Sequence, residues 1–284
     1  MLGNIQKLKD DFNYSEFIIE GENDIFYRKV VVESSKEKLW NNEFKIVPNA
    51  SYLITGGMGK IGQQIAKLVS EHGGIPILVG RHVNNENINE NIKNVVCYAC
   101  DIGRKSDVQN MFNLICQNHD GIRGIFHCAG INKDKLLYSK KYEDVVEVIA
   151  PKVQGTIYID EITKNESLDF FIMFSSISST LYNVGQTDYS YANMFMDDFS
   201  EVRNLLVEKG LRKGKTCSIS WPFVRNAGMS MSDKLLSSLE FQTGIKSIDV
   251  SEINNLVLRQ YKNSHITIIP GDKEKICKYI QENT

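Results

Sequence analysis

The sequence predicts an α/β protein built on a doubly wound parallel sheet, with a β-hairpin appended at its N-terminus. Two observations predict the body. Seven short apolar runs, SYLIT (51–55), IPILVG (75–80), NVVCYAC (94–100), GIFHCA (124–129), LDFFIMFSS (168–176), KTCSISW (215–221) and HITIIP (265–270), alternate with helix-length amphipathic segments. Strands alternating with helices give a parallel sheet covered on both faces. A glycine cluster also stands between the first of these strands and the first helix, 60–73. Seven strands on this plan fit an open Rossmann sheet rather than a closed barrel.

The hairpin is predicted from EFIIE (16–20) and DIFYRKVVVE (24–33), two β-rich runs around the turn-forming GEND. A lone hairpin is marginal in water, so it is expected to pack on the body or to be the last part of a larger unit. EFKIVPNA (43–50) reads as the connector. The expected division is therefore residues 1–48 as a remnant structural subdomain and 49–284 as the catalytic body.

Composition narrows the function. The chain has 284 residues, 42% hydrophobic and 24% charged, with a net charge of −2. That is ordinary for a globular protein and offers no basic field for nucleic acid. No apolar run approaches the roughly 18 residues that span a bilayer, and the charged N-terminus lacks a signal-peptide core. The six cysteines are scattered. Cys97 and Cys100 form a CxxC on a strand, but no second pair completes a metal site. Reduced thiols, no metal and a cytoplasmic location are expected.

Chemistry first shows in YLITGGMGKIGQQIA. Gly56 precedes Gly57-Met58-Gly59-Lys60-Ile61-Gly62, a GxGxxG with the strand–turn–helix context that lets a backbone approach a pyrophosphate at a helix N-terminus. The second strand ends in LVGRHV, with Arg81 where an acidic residue would bind a ribose 2′-hydroxyl. An arginine suits a 2′-phosphate, so NADPH is the expected cofactor. Cys128-Ala129-Gly130 after the fourth strand leaves small residues against a cofactor, while His127 reads as a packed strand histidine.

The fifth strand ends in Ser176. Tyr189 follows 13 residues later and Asn193 four after that. A helix over 187–209 puts Tyr189 and Asn193 on one face, with Tyr191 roughly 200° away. A strand-end serine with a tyrosine a dozen residues on is the signature of the short-chain dehydrogenase/reductases. Their Tyr-x-x-x-Lys is broken here by Asn193.

Lys152, in IAPKVQGT, stands 24 residues before Ser176. With Lys and Asn exchanged in this way, TGGMGKIG, FHCAG, APKVQGT, LDFFIMFSS, GQTDYSYANMFMDDF and SISWPFVRNAGM together resemble the ketoreductase domains of modular polyketide synthases, over residues 50–284. The resemblance implies Tyr189 as proton donor, Lys152 lowering the tyrosine pKa, Ser176 stabilising the carbonyl oxygen, and Asn193 holding Lys152 or a relay water. It implies Asp101 on the adenine amino group, with Ile102 and Pro222-Phe223-Val224 also against the cofactor.

It further implies NADPH-dependent reduction of a β-ketoacyl thioester on an acyl carrier protein, with other synthase domains as partners and a monomer when excised. In that family a cofactor-free structural half precedes the catalytic one, and only its last part is expected in residues 1–48. A tryptophan eight residues before the tyrosine marks the L-product type; Leu181 stands there. A Leu-Asp-Asp motif after HxAG marks the D-product type; Asp134 keeps its last residue. A D-configured product is expected. Two other readings stay open: a free-standing reductase of a small ketone, and a non-reducing structural or epimerising domain.

Overall fold

The computed structural model describes residues 17–20, 24–27, 40–181, 183–228 and 231–283. Near the N-terminus, β1 (Phe17–Glu20) and β2 (Asp24–Tyr27) pair antiparallel, Phe17 opposite Tyr27, as the hairpin pattern predicts. The rest of the second run, within residues 28–39, lies outside the described residues. Next comes β3 (Trp40–Glu43), which pairs antiparallel with β12 (Arg259–Tyr261). Residues 43–50, read as a connector, are part of the body. Phe44 and Ile46 are buried in the core, and Phe44 N–H donates to the Leu258 carbonyl at 2.6 Å.

The body alternates strand and helix. In order these are β4 (Ser51–Thr55), α1 (Lys60–Glu71), β5 (Ile75–Gly80), β6 (Val96–Ala99), α2 (Lys105–Asn118), β7 (Gly124–His127), α3 (Tyr142–Lys152), α4 (Gln154–Ile162), β8 (Phe170–Ser176) and α5 (Thr187–Glu208). The chain continues through β9 (Lys215–Trp221), β10 (Val224–Arg225), α6 (Asp233–Thr243), β11 (Ile248–Asp249), a short α7 (Asn254–Val257), β12, β13 (His265–Thr267) and α8 (Lys273–Asn283). Seven strands form one parallel sheet in the order β13-β9-β8-β7-β4-β5-β6. The order reverses between β4 and β7. Ligands of doubly wound sheets bind in the crevice beyond the strand ends at that point.

Side chains of successive strand residues face opposite ways, and here both faces are apolar. Tyr52, Ile54, Phe126, Phe170, Ile172 and Ile219 join α1 on one face. Leu53, Ile77, Ile125, Phe171 and Met173 join α2, α4 and α5 on the other. Two-sided burial explains the continuous apolar runs. Helix ends follow local chemistry: α1 stops at His72, before Gly73 at φ 79°, and α6 starts on a Ser232 cap and stops at Gly244 at φ 75°.

The second face holds a fully buried charge. Arg203 Nε donates to Asp160 Oδ1 at 2.7 Å, and its other nitrogens donate to the Gly214 and Lys213 carbonyls and the Thr216 hydroxyl. Arg212 covers the same carboxylate from outside. This knot fixes α5 to α4 and to the start of β9. Losing a member of a desolvated pair is far costlier than losing a surface pair. Arg203→Met is therefore expected to lower unfolding free energy by about 3 kcal/mol in urea titration. Arg123→Ala, which breaks the exposed 2.7 Å pair with Asp169, should cost no more than about 1 kcal/mol.

Candidate active site

The crevice is built around missing Cβ atoms. Gly56 has φ 64°, and a Cβ there would stand 2.9 Å from the Ala129 backbone. One on Gly57 would meet Leu78 Cβ at 2.7 Å, and one on Gly62 would meet the Gly56 carbonyl oxygen at 2.4 Å. The loop is thus pressed onto β5, β7 and the first turn of α1. Met58 leans towards Gly80 at the end of β5. Gly59 caps α1 without a side-chain bond, and no acidic residue stands in the first turn at Lys60 or Ile61. The positive helix end is left free for an anion. This glycine cradle fits a dinucleotide pyrophosphate.

Arg81 follows β5 directly and is exposed; it has no hydrogen-bond or ion-pair partner among the described residues. Asp101 follows β6; its Oδ1 accepts from Gly103 N–H at 3.0 Å, and Arg104 Nε lies 3.6 Å from Oδ2. The Ile102 side chain is buried in the core against Gly155. Ala129 N–H donates to the Thr55 hydroxyl at 3.2 Å, which also bonds His127 Nδ1 at 2.7 Å. His127 is fully buried, and burial pushes its pKa down to about 3. Pro222 and Val224 are buried and Phe223 half-buried where β9 ends; the Phe223 carbonyl accepts from Ile248 N–H.

Four polar residues meet beside this cradle. Ser176 is the last residue of β8, and its Oγ accepts from Ser178 N–H at 3.2 Å. Tyr189 lies in the first turn of α5 and is half-buried, while Tyr191 points outward, 51% exposed. Asn193 is buried one turn on; its Nδ2 donates to the Tyr189 carbonyl at 2.8 Å, and its Oδ1 is buried without a hydrogen-bond partner. Lys152, at the end of α3, is 3% exposed. Its Nζ stands 5.8 Å from the centre of the Tyr189 ring.

Two details differ from expectation. Of the two roles expected of Asn193, holding Lys152 or a relay water, the direct hold is not made: Lys152 donates to the Phe174 carbonyl at 2.8 Å, and the Asn193 amide donates within its own helix. The tyrosine pKa is raised, not lowered: burial dominates, and the Ser176 and Asn193 side chains pull only partly against it. The ammonium lies over the ring face and is itself desolvated, which brings Lys152 down to about 8.

The stereochemical markers lie apart. Asp134 is exposed and accepts from Gln186 Nε2 at 3.0 Å, close enough to the site for its charge to raise the Tyr189 pKa. Leu181 is 6% exposed and packs with Ile276 and Ile280 of the C-terminal helix and with Ile177, the residue after Ser176. Sequence reasoning missed Thr55, Gln186 and the buried pair Lys140–Asp188. No local motif marks them, since their partners lie 72, 52 and 48 residues away.

The cysteines are unpaired thiols, with Cys100 pushed up to about 12 chiefly by burial. Among the described residues no group of His, Cys, Asp or Glu could hold a metal, and no helix is long and apolar enough to cross a membrane.

Lys152 carries a measurable signature. Its folded pKa of about 8 lies below its unfolded value, so the unfolded chain binds more protons between them, and the lysine disfavours folding below that window. Lys152→Met is expected to be more stable than the wild type at pH 7. The advantage should shrink as pH rises from about 8 to about 10.5, as read by urea melts across pH. An advantage independent of pH would contradict the desolvated ammonium.

Comparison with known proteins agrees with this geometry. The sequence model of the KR domain matches residues 50–226. Polyketide synthase PksN of Bacillus subtilis is 36% identical over 239 residues, 80% of this chain and 4% of PksN. PksL of the same organism is 36% identical over 70% of this chain and 5% of its own length. The chain thus spans about a twentieth of these relatives. Among solved structures, a ketoreductase domain from the bacillaene assembly line superposes with a TM-score of 0.83 at 28% identity, covering 99% of this chain and 69% of that one. An N-terminal ketoreductase from the macrolactin assembly line gives 0.74 at 32% identity, over 84% and 48% of the two chains. The chain belongs to the KR domain family, the ketoreductase domains of polyketide synthases.

Proposed function

We propose that this chain is an NADPH-dependent ketoreductase of polyketide biosynthesis. It reduces a β-ketoacyl thioester on an acyl carrier protein to the D-configured β-hydroxyacyl thioester. The observation that carries this reading is the meeting of Ser176, Tyr189, Asn193 and Lys152 beside a glycine cradle at the topological switch point.

Gly56, Gly57, Gly59 and Gly62 would hold the pyrophosphate, Arg81 the 2′-phosphate, Asp101 the adenine, and Ala129, Gly130 and Pro222–Val224 the remainder. The bound nicotinamide supplies a hydride. Ser176 donates a hydrogen bond to the ketone oxygen and stabilises its developing charge. Tyr189 gives that oxygen its proton; its raised pKa keeps the phenol protonated near neutrality. Lys152 stabilises the phenolate left behind. The unpartnered Oδ1 of Asn193 is the acceptor for a water that returns the proton.

Asp134 supports the D-product reading, because it sits on the loop beside the tyrosine and is tied to Gln186. Discrimination between two substrate poses needs only a few kcal/mol, about tenfold for each 1.4 kcal/mol. The test is incubation with NADPH and a simple β-ketoacyl thioester, with chiral chromatography of the product. A predominantly L-alcohol would overturn the stereochemical part, and no NADPH consumption the whole.

Two substitutions test the assignments. Tyr189→Phe should remove nearly all reduction while NADPH still binds, whereas Tyr191→Phe should be mild; the reverse would make Tyr191 the proton donor. Arg81→Ala should lose a charge-assisted contact of about 1.5–3 kcal/mol and raise the KM for NADPH by about 10- to 100-fold. NADH turnover should hardly change, and equal damage with both cofactors would refute the role of Arg81.

A further inference from the structure

A buried ion pair stands directly behind Tyr189. The Lys140 and Asp188 side chains are 2% and 4% exposed. Lys140 Nζ donates to both Asp188 oxygens, at 2.7 and 2.8 Å, and to the Lys133 carbonyl at 2.8 Å. All three ammonium protons are committed. Asp188 Oδ1 also accepts from Tyr189 N–H at 2.9 Å. The first N–H groups of a helix lack intrahelical partners, and Gln186 gives α5 no side-chain cap. The Asp188 carboxylate serves Tyr189 instead.

Stability alone explains such a pair poorly. Desolvating two charges costs several kcal/mol each, and apolar residues of similar size often do as well. The pair does something geometric: it joins the two helices that carry Lys152 and Tyr189. The loop 131–140 is tied to α3 through Lys133 and Lys135, which lie 3.0 and 2.7 Å from the Asp144 carboxylate. Lys133 also reaches Glu147 at 3.0 Å. Through Lys140 the same loop is tied to the first turn of α5. From outside, Lys135 N–H donates to the Gly185 carbonyl at 3.1 Å.

We infer that Lys140 is a positioning residue for the reduction: by clamping Asp188 it fixes the first turn of α5 and holds Tyr189 in place against Ser176 and Lys152. The inference rests on the reading of Tyr189 as proton donor. Catalytic geometry is sensitive to such support, since a displacement of about 1 Å can cost about a hundredfold in rate.

The decisive variant is Lys140→Met/Asp188→Asn, which removes both charges, leaves no lone buried ion, and keeps an acceptor for Tyr189 N–H. Its reduction of a β-ketoacyl thioester, its NADPH dissociation constant by fluorescence and its thermal midpoint would be measured beside Lys140→Met alone. The single variant should be the less stable of the two, because it strands the Asp188 carboxylate. In the double variant kcat should fall at least about tenfold, with the NADPH dissociation constant within about twofold of wild type. A wild-type kcat in the double variant overturns the inference. So does a loss of NADPH binding in step with kcat, which would make the pair a support of the fold alone. Tyr189→Phe measured alongside separates the two readings: if it reduces normally, the proton-donor assignment fails whatever Lys140 does.

Discussion

Two backbones touch at the centre of the sheet, and the site depends on that contact. The loop after β4 and the loop after β7 leave neighbouring strands towards opposite sides of the molecule. They stay in contact because position 56 carries no Cβ and can adopt φ 64°. The Thr55 hydroxyl closes the same junction by bonding His127 and the Ala129 amide. A side chain at position 56 would part the loops by pressing on the Ala129 backbone. The cradle would open, and Gly130 would leave the Lys152 stem on which it lies; a Cβ on Gly130 would meet Cε at 2.6 Å.

From that junction the polar residues are placed by long-range ties. Lys152 reaches the Phe174 carbonyl and so couples the end of α3 to β8, the strand that delivers Ser176. Asn193 is held at both ends: its Nδ2 donates to the Tyr189 carbonyl, and the Ser175 hydroxyl donates to the Asn193 backbone carbonyl at 3.3 Å. One turn further along α5, Asp197 is buried and accepts from the Ser218 hydroxyl at 2.6 Å, with His265 Nε2 at 3.3 Å. A single helix thus carries a tyrosine, an amide and a carboxylate along one face, and the field of that carboxylate raises the pKa of Lys152 against the burial that lowers it.

The sequence was most legible where a signal is local. KTCSISW is the strand Lys215–Trp221, and the helix read over 187–209 spans Thr187–Glu208, because two-sided burial and helical spacing are written in consecutive residues. The outward direction of Tyr191 follows from helical phase. The pairing of Lys152 with the Tyr189 face needed the resemblance, since nothing local links residues 37 apart. Three features could not be read at all: the inward turn of Leu181, the burial of Phe44 and Ile46 in a stretch that looked like a linker, and the direction of the tyrosine pKa. Each is decided by partners distant in sequence, the C-terminal helix for Leu181 and the Leu258 segment for Phe44. Burial outweighs neighbouring donors only once the packing is known.

The strand order also governs assembly. The crevice straddles β4 and β7, so one wall comes from the segment containing β4, β5 and β6 and the other from strands made later. A parallel sheet paired across long sequence separations forms late and slowly, and a ligand that binds only the completed fold stabilises it by mass action. A dinucleotide seated there would fasten the early half of the chain to the late half, making cofactor supply a term in how long the folded domain survives.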